Sequence, residues 1–221
     1  MAVTGLYFIL FVLFHMYGNL KMFAGQAAFD DYAHHLRTMF EPILPYEGFL
    51  WLFRLSLIIA VGLHIYSAFT LWARASSARG VKYSAKSTVQ RSLSSKWMRW
   101  GGLALLFFIV WHLIHFTIGK VNVNSGVTQR ELDVDGVFSP FNLAVAAFQV
   151  PWMTVIYLIA MVFLGLHLHH GTWSAFQTLG WTNTAKSRAV AKTAGLVVAL
   201  VVAVGFSLTP IAVMLGMITI P

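Results

Sequence analysis

Five apolar runs limit what this chain can fold into. They cover residues 2–23, 49–73, 97–118, 151–176 and 190–218 of 221. Each is long enough to cross the roughly 30 Å hydrocarbon layer of a bilayer as a helix. Inside hydrocarbon every backbone N–H and C=O must be satisfied within the chain, which leaves helices or a closed barrel. Uninterrupted apolar runs of this length predict helices. The expected fold class is all-α: an integral membrane bundle of five transmembrane helices, forming a single domain over residues 1–221. Charge agrees, since 10% of residues are charged against roughly 25% in a soluble domain. All seven Asp and Glu fall between the runs.

The net charge of +8 does not indicate a nucleic-acid partner, because the basic residues are concentrated in the connections. Arg74, Arg79, Lys82, Lys86, Arg91, Lys96 and Arg99 lie around the second connection, and Lys186, Arg188 and Lys192 around the fourth, with no acid in either. The first and third connections mix acids with bases. The positive-inside rule therefore puts the second and fourth connections in the cytoplasm. The N-terminus is then cytoplasmic and the C-terminus outside. A multi-pass protein of the cell membrane in contact with lipid follows. The first run lacks the features of a cleaved secretory signal. The chain has no cysteine, which excludes covalent haem attachment, thiolate ligation of iron–sulfur clusters by this chain, and disulfides. Residues 29–40 predict a short interfacial helix. Residues 138–149 are apolar but too short to span, and are expected along the surface or capping the bundle. Pro210 predicts a kink in the fifth helix.

Histidine carries the chemistry. His15, His64, His112 and His167 each lie about two-thirds of the way along one of the first four runs. An ionisable group inside a membrane helix is a functional-site candidate by default, and neutral imidazole is the usual protein ligand for buried iron. Helices one and three run outward and helices two and four inward. At 1.5 Å per residue, His15 and His112 then lie about 20 Å from the cytoplasmic edge, and His64 and His167 about 10 Å from it. Two layers of two imidazoles could hold two haem irons, each from both sides, stacked about 10 Å apart in depth. The expected pairs are His15 with His112 at an outer iron and His64 with His167 at an inner one. Gly18, Gly62, Gly165 and Gly171 are expected to leave room for the macrocycles.

The remaining histidines weigh differently. In the stretch from Leu164 to Ser174, His170 lies about 60° from His167 around the helix while His169 points away at about 200°. Both read as interfacial residues at a helix end. His115, one turn after His112, is either interfacial or a hydrogen-bond partner of a propionate or a quinone. His34 and His35 read as solvated surface. Arg54, inside the outer third of the second run, either pairs with propionates of the outer haem or snorkels to the surface. Quinone carbonyls need a donor or a proton-transfer group beside a haem edge. Asp31, Glu41 and Glu47 on the outer side and Ser94, Lys96 and Trp97 on the inner side are the candidates, and Glu41 at the outer edge is preferred.

The set resembles the dihaem cytochrome b membrane anchor of succinate:quinone oxidoreductases, in its five-helix single-subunit form. The likeness is carried by Phe14-His15-Met16-Tyr17-Gly18-Asn19-Leu20, Gly62-Leu63-His64-Ile65-Tyr66, Val110-Trp111-His112-Leu113 and His167-Leu168-His169-His170-Gly171-Thr172-Trp173-Ser174. Residues 19–26, followed by Tyr32-Ala33-His34, look like actinobacterial members. The resemblance implies His15, His64, His112 and His167 as axial ligands of two haem b groups in a bacterial plasma membrane. It also implies cytoplasmic flavoprotein and iron–sulfur subunits, which alone carry FAD and the clusters. Electrons would pass from succinate through these partners and both haems to a quinone, menaquinone in this group. The family usually has a cytoplasmic segment before its first helix, and this sequence departs from that.

Three other functions fit parts of the pattern. A cytochrome b subunit of a hydrogenase or formate dehydrogenase would use the same ligands with partners on the outer face. A transporter with a histidine relay would place carboxylates among the imidazoles, which this sequence does not do. The third is a haem-free structural anchor.

Overall fold

The computed structural model describes residues 1–77, 93–118 and 120–221. The chain forms α1 (Ala2–Leu20), α2 (Gln26–Thr38), α3 (Gly48–Ser77), α4 (Leu93–His112), α5 (Pro140–Phe148), α6 (Pro151–Thr178) and α7 (Ala185–Met214). A π-helical turn, Leu113–Ile118, continues α4. Asp133–Val134 and Val137–Phe138 pair as a short antiparallel ribbon, β1 and β2. Five helices are long and apolar enough to cross a membrane: α1, α3, α4 with its π turn, α6 and α7. The expected all-α architecture with five such helices is what forms. Of the basic second connection, Arg79, Lys82, Lys86 and Arg91, and the side chains of Ser94 and Lys96, lie outside the described residues.

Helix ends follow local chemistry rather than hydropathy. The last helix begins at Ala185, five residues before its apolar run, because Thr184 and Ser187 form a reciprocal capping box. Pro140 and Pro151 occupy first helical positions, where a missing N–H costs nothing. Pro210 lies inside α7, which continues through it to Met214.

The frame of the bundle is α6. It packs along α7 and α4 and also touches α1, which in turn packs on α7. Close approach between α6 and α7 uses glycine. A Cβ on Gly195 would sit 2.7 Å from the His169 carbonyl oxygen, and one on Gly165 3.2 Å from Ala203 Cβ. The third helix stands apart, packing on α1 and α2 and scarcely on α4 or α6.

One end of the bundle is closed by α2 and α5. The whole of α5 from Phe141 to Phe148 is buried, so it is interior rather than a surface segment. The reason is a polar clamp. The Asp30 carboxylate on α2 accepts from the Ser139 hydroxyl at 2.5 Å and from the Phe141 N–H at 3.1 Å. Gln26 donates to the Asn142 side chain, which itself donates to the Glu131 carbonyl at 2.8 Å. These bonds satisfy the start of α5 and allow its apolar faces to go in. Asp30→Ala removes two charge-assisted bonds and should cost about 2 kcal/mol. A lowered thermal midpoint of the detergent-purified protein is the expected readout.

Candidate functional site: two imidazole pairs

The structure brings the four helix-borne histidines together in two pairs. The His15 and His112 rings lie 5.8 Å apart between centroids at an interplanar angle of 77°. The His64 and His167 rings lie 6.3 Å apart at 52°. Each pair spans two helices that scarcely pack on each other, α1 with α4 and α3 with α6. Imidazoles therefore face each other across two gaps in the bundle.

The spacing is chemically informative. Two imidazoles hydrogen-bonded nitrogen to nitrogen at about 2.9 Å would have centroids about 5.2 Å apart, taking ring atoms about 1.15 Å from the centre. Among the described residues neither pair makes a ring-to-ring hydrogen bond. Two metal–nitrogen bonds of about 2.0 Å to one intervening atom give a centroid separation of about 6.3 Å on the same ring radius. The observed 6.3 Å matches that value and 5.8 Å lies midway between the two, and both also fall within the range of ordinary edge-to-face or tilted ring contacts. Among the described residues no group of three or more His, Cys, Asp or Glu converges on a point, so each pair offers two imidazoles and no third protein ligand.

Surroundings fix the rings and keep them dry. The His64 Nδ1 lies 3.0 Å from the Thr4 hydroxyl, which leaves Nε2 for a ligand. Phe11 stacks on His15 at 5.3 Å and Phe108 on His112 at 5.9 Å, while Phe8 meets His64 edge-on at 5.8 Å. His15, His64, His112 and His167 all keep some accessible surface, whereas His115 is fully buried. The Nδ1 of His167 is buried without a hydrogen-bond partner among the described residues. Each pair is thus partly accessible and flanked by aromatic rings.

Two helices measure the distance between the pairs. On α4, a Cβ on Gly102 would lie 3.4 Å from the His167 ring, and His112 is ten residues further on. On α6, Tyr157 reaches His112, and His167 is ten residues further on. Ten residues rise about 15 Å. This exceeds the expected 10 Å, which came from rounding each depth to about 20 Å, although His112 lies 15 residues and His167 16 residues past the start of their runs.

Other expected residues sit elsewhere. Arg54 donates to Glu47 at 3.3 Å and lies over the Trp51 ring at 5.1 Å. Glu47 also accepts from Arg37 at 3.2 Å. Arg54 is thus held in a surface ion-pair cluster at the start of α3. Glu41 is exposed in the turn between α2 and α3. Asp31, His34 and His35 are exposed on α2. Of the four glycines expected beside the rings, Gly62 and Gly171 face open space, but a Cβ on Gly18 would meet the Tyr32 ring at 2.9 Å, and Gly165 packs on α7. Gly5, where a Cβ would lie 3.8 Å from the His64 ring, and Gly102 stand beside the pair instead.

Outside the spanning segments, burial raises the Tyr32 phenol pKa, with Tyr17 adding to it and Lys21 opposing. Hydrogen bonds from the Thr128 hydroxyl and backbone N–H hold Glu131 below the usual carboxylate range.

Sequence reasoning did not find Tyr157. This buried residue on α6 places its hydroxyl 3.0 Å from His115 Nδ1 and 3.4 Å from His112 Nδ1. One tyrosine in an apolar run carries no periodic signal; only a facing histidine could have drawn attention to it. Compared with family models, with curated proteins and with solved structures, the chain matches none of them.

Proposed function

We propose that this chain is the membrane anchor and electron-transfer subunit of a succinate:quinone oxidoreductase, holding two b-type haems between a cytoplasmic iron–sulfur partner and a membrane quinone. The observation that carries the haem reading is the pair of imidazole couples, each spaced for one intervening iron and each across helices held apart. A histidine relay would place carboxylates among the imidazoles, and every Asp and Glu lies between the apolar runs. Haem iron, when bound, supplies a one-electron carrier at each couple.

The chain's own residues then have defined tasks. His15 and His112 hold one group; His64 and His167 hold the other. Thr4 orients His64. The α2–α5 clamp excludes water from the end nearer His112, where Phe116, Phe148 and Tyr157 pack together. Arg74, Arg99, Lys186, Arg188 and Lys192 gather at the opposite end, with no acid in either connection there. Positive-inside placement makes that end cytoplasmic, and flavoprotein and iron–sulfur subunits would dock on it. Menaquinone would exchange at the outer end, where exposed Glu41 is the proposed proton-transfer group. The assembly would sit in a bacterial plasma membrane.

The test is direct. A pyridine haemochrome assay on purified protein should give about two haems per chain, extractable by acid acetone because there is no cysteine to attach them. A ratio near zero or one overturns the two-haem reading. Succinate-dependent quinone reduction by the membrane complex, lost on deleting this chain, tests the partner assignment.

A further inference from the structure

Below His112 the helix changes character. Leu113–Ile118 forms a π turn, an arrangement that often occurs at functional sites. The fully buried His115 lies within it. Tyr157 stands between the two imidazoles, 3.0 Å from His115 Nδ1 and 3.4 Å from His112 Nδ1. Three aromatic contacts confine its ring: Phe108 at 4.9 Å, Phe148 at 5.1 Å and Phe116 at 5.8 Å. The hydroxyl therefore has little freedom to turn away.

The directions of these two bonds can be deduced. A neutral imidazole that gives its Nε2 lone pair to a metal must carry its proton on Nδ1. His112 Nδ1–H then donates, and the Tyr157 oxygen accepts. A phenol has one proton, and among the described residues the other partner in reach is His115 Nδ1, so Tyr157 donates there. That makes His115 the Nε2–H tautomer, with its Nε2 buried and without a partner among the described residues. The second bond polarises the first, since a hydroxyl that donates is a better acceptor.

We infer that Tyr157 and His115 form a relay of hydrogen bonds that positions His112 and sets the electron donation of that ligand to its iron, an inference that rests on the two-haem reading. A ligand whose N–H is strongly accepted gains anionic character and favours the ferric state. His64, opposite His167, meets the Thr4 hydroxyl with its Nδ1, and that hydroxyl donates onward to the Met1 carbonyl, while His167 Nδ1 has no partner among the described residues. The two couples thus differ in what lies beyond the hydroxyl, an imidazole in one and a backbone carbonyl in the other.

Tyr157→Phe keeps the ring and removes the acceptor. The experiment is a spectroelectrochemical titration of the purified protein, with low-temperature EPR and a haem count on the same samples. The variant should retain its haems. The component assigned to His15 and His112 should move to higher potential with a changed g-anisotropy, and the other should stay. His115→Leu should move the same component the same way by less, and His115→Gln, whose amide oxygen can accept from Tyr157, should restore it. An unmoved component in both Tyr157→Phe and His115→Leu overturns the relay, and so does an equal shift of both components. If Tyr157→Phe loses haem, His115→Leu decides alone, and an unmoved potential there overturns the relay. A wild-type protein without haem would instead overturn the functional reading itself.

Discussion

His15→Ala and His112→Ala should each abolish the same haem component, and His64→Ala and His167→Ala the other, taking the haem content from about two per chain to about one. Each substitution removes one of two facing imidazoles 5.8 or 6.3 Å apart. His115 is fully buried and bonded to Tyr157, and His169 lies on the opposite side of α6 from His167 by helix geometry, whereas His170, about 60° from His167, is placed to substitute for it. His169→Ala should accordingly keep both components. Difference spectra of membranes from each variant make the comparison without purification. Loss of the same component in His15→Ala and His64→Ala would contradict the arrangement, because those residues occupy levels about 15 Å apart.

A second large effect is expected at the contact between the two most tightly packed helices. A Cβ on Gly195 would lie 2.7 Å from the backbone oxygen of His169 and 3.6 Å from Thr172 Cβ. Backbone on a neighbouring helix cannot swing aside, so α7 must back away from α6. Gly195→Ala should destabilise the protein by about 1–3 kcal/mol. Gly62→Ala is the control, since nothing lies within 4 Å of a Cβ there. Its effect should stay within about 0.5 kcal/mol or be slightly stabilising through the lost glycine entropy. Thermal midpoints in one detergent test both, and equal midpoints would mean that α6 and α7 are looser than the glycine contact implies. Because α6 also carries His167, a Gly195→Ala protein should show broadened haem spectra.

The five spans were legible because apolar length is a strong signal, and the sequence pairing of histidines coincides with the pairs the structure brings together. Helix direction alternates along such a chain, so a residue's fractional position along each span sorts it into one of two levels. Less was legible where one polar atom decides. The beginning of α7 depends on a Thr184–Ser187 box that hydropathy does not register. The burial of α5 depends on Asp30, a carboxylate 109 residues from Ser139 in the chain. Arg54 was weighed as a propionate partner or a snorkelling residue, whereas Glu47, two helical turns earlier, is the partner it takes. Glycine roles were also partly misread. Gly18 and Gly165 serve contacts with Tyr32 and Ala203, and sequence alone cannot say which side of a helix a neighbour approaches.

The apartness of α3 has a consequence for biogenesis. Four spans, α1, α4, α6 and α7, brace one another around α6, while α3 leans on α1 and α2 and scarcely meets the helix that carries its partner histidine. Newly inserted chain would thus form a standing frame with one hinged panel. His64, on the least braced of the five spans, would be the last of the four histidines to be fixed in place, and whatever its imidazole pair holds would help to fasten α3 to the frame.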